Sequence, residues 1–128
     1  MAAGKYSFTI EQGATLTLEV QYKDPSNNPI NLTGYHGRML IRSGYADGNP
    51  TTYAILSSSK WPDGTGLDFN GSNGTTPTTS GSIGIYISAA TSSAFTFDTA
   101  RYDLEIYTGS TVTRLLEGQV KISKEVTR

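Results

Sequence analysis

Between Ala14 and Lys23 every second residue is apolar: Leu16, Leu18, Val20 and Tyr22 share one phase, and Thr15, Thr17, Glu19, Gln21 and Lys23 the other. Side chains on a strand point alternately to two faces, so such a run buries one face and wets the other. Asp24-Pro25-Ser26-Asn27-Asn28-Pro29 ends the run as a turn, because proline presets φ and asparagine tolerates positive φ. The alternation resumes at Tyr35 to Arg42, with Tyr35, Gly37, Met39 and Ile41 on one face and His36, Arg38, Leu40 and Arg42 on the other. Ile30 and Leu32, between the two runs, are expected to tuck under the edge of a β-sandwich.

The same period continues along the chain. Lys5 to Glu11 reads as a strand with Tyr6, Phe8 and Ile10 inward. Thr52 to Leu56 and Gly66 to Phe69 read as short strands, and Ser82 to Ser88 as another with Ile83, Ile85 and Ile87 in phase. Ser88 to Phe95 favours one helical turn with Ser88 as its N-cap. Arg101 to Thr108 is a strand with Tyr102, Leu104 and Ile106 inward, and Thr108-Gly109-Ser110-Thr111 returns it antiparallel through Val112 to Ser123. Arg114, Leu115 and Leu116 break the phase of that last strand, which predicts a β-bulge. Residues 57–81, rich in Gly, Ser, Thr and Asn, predict a long loop insertion that protrudes around Asn70 to Pro77. About seven to nine short strands with turn signals between them predict an antiparallel β-sandwich over residues 1–128, a single domain with a docking tail at 123–128.

The order of helical turn, Asp98-Thr99-Ala100-Arg101-Tyr102 and strand resembles the end of an immunoglobulin variable-type domain, where a tyrosine closes a corner by bonding its hydroxyl to upstream backbone. Asp98 and Tyr102 are the matching, fold-defining positions; a tyrosine that simply fills the core is the alternative. The paired cysteines of antibody domains are missing, so the resemblance is to an immunoglobulin-like sandwich.

Composition narrows the function classes. The chain has no cysteine, hence no disulfide framework, thiolate nucleophile or cysteine-based metal site. Ten basic and eleven acidic residues are interspersed, without the basic stripe that phosphate binding requires, so nucleic acid is not an expected partner. No apolar run reaches the roughly twenty residues that span a bilayer, and the first residues lack the pattern of a secretory signal.

Catalytic chemistry is not expected. His36, the only histidine, reads as a surface residue, and no Gly-x-Ser-x-Gly elbow occurs. The stretch Asp63 to Asn70 is rich in oxygen ligands, but its spacing fits no calcium loop and Asp-Gly is an ordinary turn former. Asp47, Asp63 and Asp68 give no pair placed across a sugar ring. No metal and no cofactor are therefore expected. The aromatics carry more weight: Tyr45, Tyr53, Trp61, Tyr86 and Tyr107 fall in loops or on outward strand phases, and Leu40 and Leu115 add outward apolar surface. Exposed Tyr and Trp anchor interfaces and stack on sugars, so these seven, with Arg128 in the C-terminal tail, are the candidate interface residues; packing under the long loop is the alternative.

Gln12-Gly13-Ala14 through Lys23-Asp24, Leu32-Thr33-Gly34-Tyr35 and Arg38-Met39-x-Ile41-Arg42 resemble a family of small virion proteins of tailed bacteriophages. Gly81-Ser82-Ile83-Gly84-Ile85-Tyr86-Ile87, Arg101-Tyr102-Asp103-Leu104-Glu105-Ile106 and Val112 to Gly118 are similar to its later elements. The match covers most of the chain outside roughly residues 43–80. It implies a non-enzymatic structural protein of the virion, assembled in the host cytoplasm. It implies a tail, baseplate or neck adaptor present in several copies, with other virion proteins and copies of itself as partners. Two alternatives remain: a carbohydrate-binding sandwich for host-surface glycans, stacking on Trp61 with Tyr45 or Tyr53, and a capsid-decorating protein.

Overall fold

A computed structural model describes residues 4–44, 48, 50–71 and 77–126, and among these are nine strands, one short α-helix and a 3-10 turn at Thr78–Ser80. In chain order these are β1 (Gly4–Lys5), β2 (Phe8–Glu11), β3 (Leu16–Gln21), β4 (His36–Arg42), β5 (Thr52–Ser57), β6 (Gly66–Asp68), β7 (Ser82–Ile87), α1 (Ala89–Ser93), β8 (Thr99–Thr108) and β9 (Thr111–Ser123). They make two sheets. The larger has the order β1-β9-β8-β4-β5, with β2 also paired to β9, and the smaller has the order β3-β7-β6. With β3 to β9 lettered B, C, C′, D, E, F and G, the sheets read G-F-C-C′ and B-E-D, the connectivity of an immunoglobulin-like sandwich. The first two strands run parallel to β9, and the other pairings are antiparallel.

The core lies between the sheets and is built from the phases that the alternation predicts. Ile10, Met39, Ile41, Leu56, Leu104, Ile106 and Val120 come from the large sheet, and Leu67, Ile83, Ile85 and Ile87 from the small one, all essentially inaccessible. Each such side chain stabilises the fold by about 1.5–3 kcal/mol relative to remaining exposed. Leu16, Leu18 and Val20 pack half-buried on their side of it, while Thr17, Glu19 and Gln21 face solvent. Leu32 is fully buried, as its place after the turn requires.

Local chemistry closes the connections. The Asp24 carboxylate accepts from the backbone N–H groups of Ser26 (3.0 Å) and Asn28 (2.9 Å), and Asn27 holds a φ of 68°. The Ser88 hydroxyl accepts from the Thr91 N–H as the N-cap of α1. Gly109 supplies positive φ (56°) at the first central position of the β8–β9 hairpin, where Thr108 pairs with Thr111. The predicted bulge is present: Leu104 pairs with Leu116 but Glu105 with Arg114, leaving Leu115 as the extra residue.

The N-terminal run behaves differently from its phase. Tyr6, expected inward, is half exposed. Tyr102 occupies the interior at that level, edge-on to Phe8 at 5.0 Å, and its hydroxyl donates to the Tyr6 carbonyl at 2.6 Å. The cross-strand partner of Tyr102 is Gly118, and any Cβ there would fall on the same Tyr6 carbonyl oxygen. The Tyr6 ring is thus left at the rim, stacked on Phe8 at 6.2 Å. The residues at 57–81 include β6, whose Gly66 and Leu67 are buried, so the described part of this stretch belongs to the sandwich. Ser72 to Thr76, the tip of the predicted loop, lie outside the described residues.

Candidate functional site

The outer face of the large sheet carries the outward phases of β4, β8 and β9, and strand register sorts them into rows. In the first row Arg38 stands opposite Glu105, which stands opposite Arg114. In the second, Leu40 faces Asp103, Asp103 faces Glu117, and Glu117 faces Lys5 of β1. In the third, Arg42 faces Arg101, and Arg101 faces Gln119. Together these side chains line a groove of about 940 Å³.

Ion pairs fix its floor. Arg38 Nε meets Glu105 Oε1 at 2.9 Å, Arg114 Nε meets Asp103 Oδ2 at 3.5 Å and Glu105 Oε2 at 3.9 Å, and Lys5 Nζ meets Glu117 Oε2 at 3.5 Å. The carboxylates are the recessed members: the Glu105 side chain is 18% exposed against 48% for Arg38. Burial, then the neighbouring Glu105, pushes the Asp103 carboxyl above its ordinary range; Arg114 opposes the shift and Glu117 adds to it. At one end the Arg38 guanidinium lies over the Tyr107 ring, 5.2 Å from its centroid, and His36 packs on the same ring at 5.6 Å. Four of the five arginines of the chain line this groove, whereas Lys5 is the only one of the five lysines to do so. Arginine brings a planar fork of donors suited to carboxylates and is enriched at protein interfaces.

The predicted interface residues divide among different environments. Leu40 lies half-buried in the groove, and Tyr107 lies beside Arg38. Trp61 is 57% exposed, yet its Nε1 donates to the Ile55 carbonyl at 2.9 Å on β5, the edge strand of the large sheet. Tyr53 stacks on Phe97 with centroids 4.3 Å apart and packs against the core, so its ring is engaged within the molecule. Tyr86 is half-buried on β7, against the Gly64 turn. Leu115, expected to point outward, packs against the core as the bulged residue. Tyr45 and Arg128 lie outside the described residues.

Tyr102 and Asp98 have separate partners. The Tyr102 hydroxyl reaches Tyr6 in the N-terminal run, and burial pushes its pKa up to about 12, which keeps it a donor. The Asp98 carboxylate is exposed, 3.8 Å from Lys124 Nζ, while its carbonyl accepts from the Ile122 N–H. The C-terminal segment folds back on its own molecule: Lys124 Nζ donates to the Thr96 carbonyl at 2.7 Å, and the Glu125 N–H donates to Gln12 Oε1 at 2.9 Å.

A second polar cluster, which the sequence offered only as a calcium-like loop, surrounds Asp63. Its Oδ2 accepts from the Ser88 hydroxyl at 2.5 Å and the Thr91 hydroxyl at 2.7 Å, and its Oδ1 accepts from the Thr65 N–H at 2.9 Å. The Ser88 bond, then those of Thr65 and Thr91, hold this carboxyl well below the usual carboxylate range. The arrangement ties the 61–65 turn to the start of α1. The sole histidine lies on β4 beside Tyr107 and is not part of this cluster. Among the described residues no group of three or more acidic or histidine side chains is placed to hold a metal ion.

No protein-family model matches the chain, and no curated protein matches it.

Proposed function

We propose that this chain is a non-enzymatic structural component of a tailed-phage virion, a tail, baseplate or neck adaptor that works by docking on other proteins. The observation that carries the reading is the groove on the open face of the large sheet. Several of its side chains are held by ion pairs, four of its five cations are arginines, and Leu40 and Tyr107 supply apolar surface among them. An arginine-rich surface with an aromatic neighbour has the composition of a protein interface. The resemblance of Gln12 to Arg42 and of Gly81 to Gly118 to small virion proteins supplies the setting. Mass spectrometry of gradient-purified particles from the host that carries this gene tests the role. The chain is expected among the particle proteins at several copies, and its absence overturns the reading.

One observation supports a glycan-binding alternative. The Trp61 ring is held by its bond to Ile55 and stays more than half exposed, as a stacking platform would. Tyr53, engaged with Phe97, does not complete that platform. Glycan-array binding abolished by Trp61→Ala would favour this alternative over the adaptor.

A further inference from the structure

The small sheet has the order β3-β7-β6, so β3 forms one of its edges. The Tyr22 N–H donates to the Gly81 carbonyl at 2.8 Å, and the β3–β7 register continues unbroken from Gln21 and Ser82 to Leu16 and Ile87. Hydrogen-bonded pairs alternate along an antiparallel ladder. Leu16, Leu18 and Val20 therefore turn their backbone groups toward β7, and Thr17, Glu19 and Gln21 turn theirs to the open side. Among the described residues, nothing bonds the backbone of Thr17 or Gln21 on that side. The apolar side chains beside this edge are also incompletely covered: Leu16, Leu18 and Val20 stay half-buried, whereas Ile10 of β2 is inaccessible. Natural sheets guard their edges with short strands, interruptions, proline, lysine or a covering side chain. Here β6 has three residues, β1 and β2 are separated at Tyr6 and Ser7, and Trp61 bonds the Ile55 carbonyl on β5. By contrast, β3 runs six residues with no proline, lysine or bulge.

We propose that β3 pairs antiparallel with β3 of a second copy of this chain, joining two three-stranded sheets into one continuous sheet. A copy fits better than another extended segment because the strand complements itself under a two-fold rotation. Only registers that set Thr17, Glu19 and Gln21 against one another can form the ladder. Two of these give the longest overlap, centred on Glu19 or on Leu18. Centring on Glu19 opposes two carboxylates, which is destabilising. Centring on Leu18 sets Thr17 opposite the partner's Glu19 and Leu16 opposite the partner's Val20, while Leu18 meets the partner's Leu18. No like charges then meet, and the half-buried apolar row becomes continuous across the joint. The inference goes beyond the groove, which lies on the other sheet, and it holds whether or not the chain belongs to a virion.

Sedimentation of the purified chain tests the pairing, and the wild type is expected to dimerise in a concentration-dependent way. Thr17→Pro removes an N–H that points away from β7, so the β3–β7 ladder is kept while the joint loses a donor from each copy. It is expected to weaken the dimer at least about tenfold. Cross-linking tests the register separately, because the chain has no cysteine of its own. In a hydrogen-bonded antiparallel pair the Cα atoms lie about 5.5 Å apart, within the span of a disulfide. Thr17→Cys and Glu19→Cys, mixed in equal amounts and oxidised, are expected to link to each other faster than either variant links to itself. Both positions are exposed on the solvent face, so this pair decides the matter should the proline variant fail to fold. A wild type that stays monomeric throughout overturns the proposal. So does a folded Thr17→Pro that dimerises as the wild type does, or cross-linking no faster in the mixture than in either variant alone. None of these outcomes bears on the virion role, which absence of the chain from particles would overturn by itself.

Discussion

Tyr102 and Gly118 together decide how the N-terminal strands attach. One donates a hydrogen bond to the Tyr6 carbonyl, and the other, by lacking a side chain, lets that carbonyl come close. Tyr102→Phe should lower unfolding stability by about 1 kcal/mol, the usual net contribution of one such bond, read as a lower denaturant midpoint at unchanged slope. Gly118→Ala should be worse, because its Cβ displaces backbone, and hydrogen exchange should quicken first along β1 and β2. Two carboxyls give opposite pH signatures. Asp63 is lowered by bonds to its charged form, so its stabilisation is present above the ordinary value of 3.8 and is lost as pH falls toward its folded value. Asp103 is raised, so its charged form costs stability above its folded pKa, and the cost is relieved as pH falls through that value. Acid titration of the melting temperature should therefore show Asp63→Asn removing part of the acid-side loss. At neutral pH Asp103→Asn should leave the monomer equal or slightly more stable, the effect being small because its side chain is 39% exposed.

At the scale of elements, strand existence and phase were legible, because a half-buried strand writes its burial into alternate residues. Leu16 to Tyr22, Tyr35 to Arg42 and Arg101 to Thr108 all carry that record, as does the phase break at Leu115. Pairing beyond the β8–β9 hairpin was not legible. That Arg42 faces Arg101, or that β2 runs parallel to β9, depends on register between distant segments, which local pattern does not encode. The groove escaped the sequence for the same reason: its arginines sit on correct outward phases, but the rows exist only once β4, β8 and β9 are aligned. Tyr53 and Leu115 read as outward because phase alone ignores Phe97 and the bulge. Trp61 illustrates the cost of an edge. By donating to the Ile55 carbonyl it covers part of β5, an edge strand that would otherwise offer backbone to another chain. Trp61→Ala should uncover that edge together with Ile55, which is already 50% exposed, and light scattering should report faster aggregation on warming.

For the whole molecule, the two sheets differ in what they leave outside. The small sheet turns outward Thr17, Glu19 and Gln21, whereas the large one exposes a groove of recessed acids beneath arginines. The proposed virion role places the groove against protein. A cryo-EM map of the intact particle, at a resolution that traces side chains, tests this most directly. This sandwich is expected in several copies, with Arg42, Arg101, Asp103 and Glu117 covered at an interface. A particle in which the chain is present but this face meets solvent in every copy would contradict it.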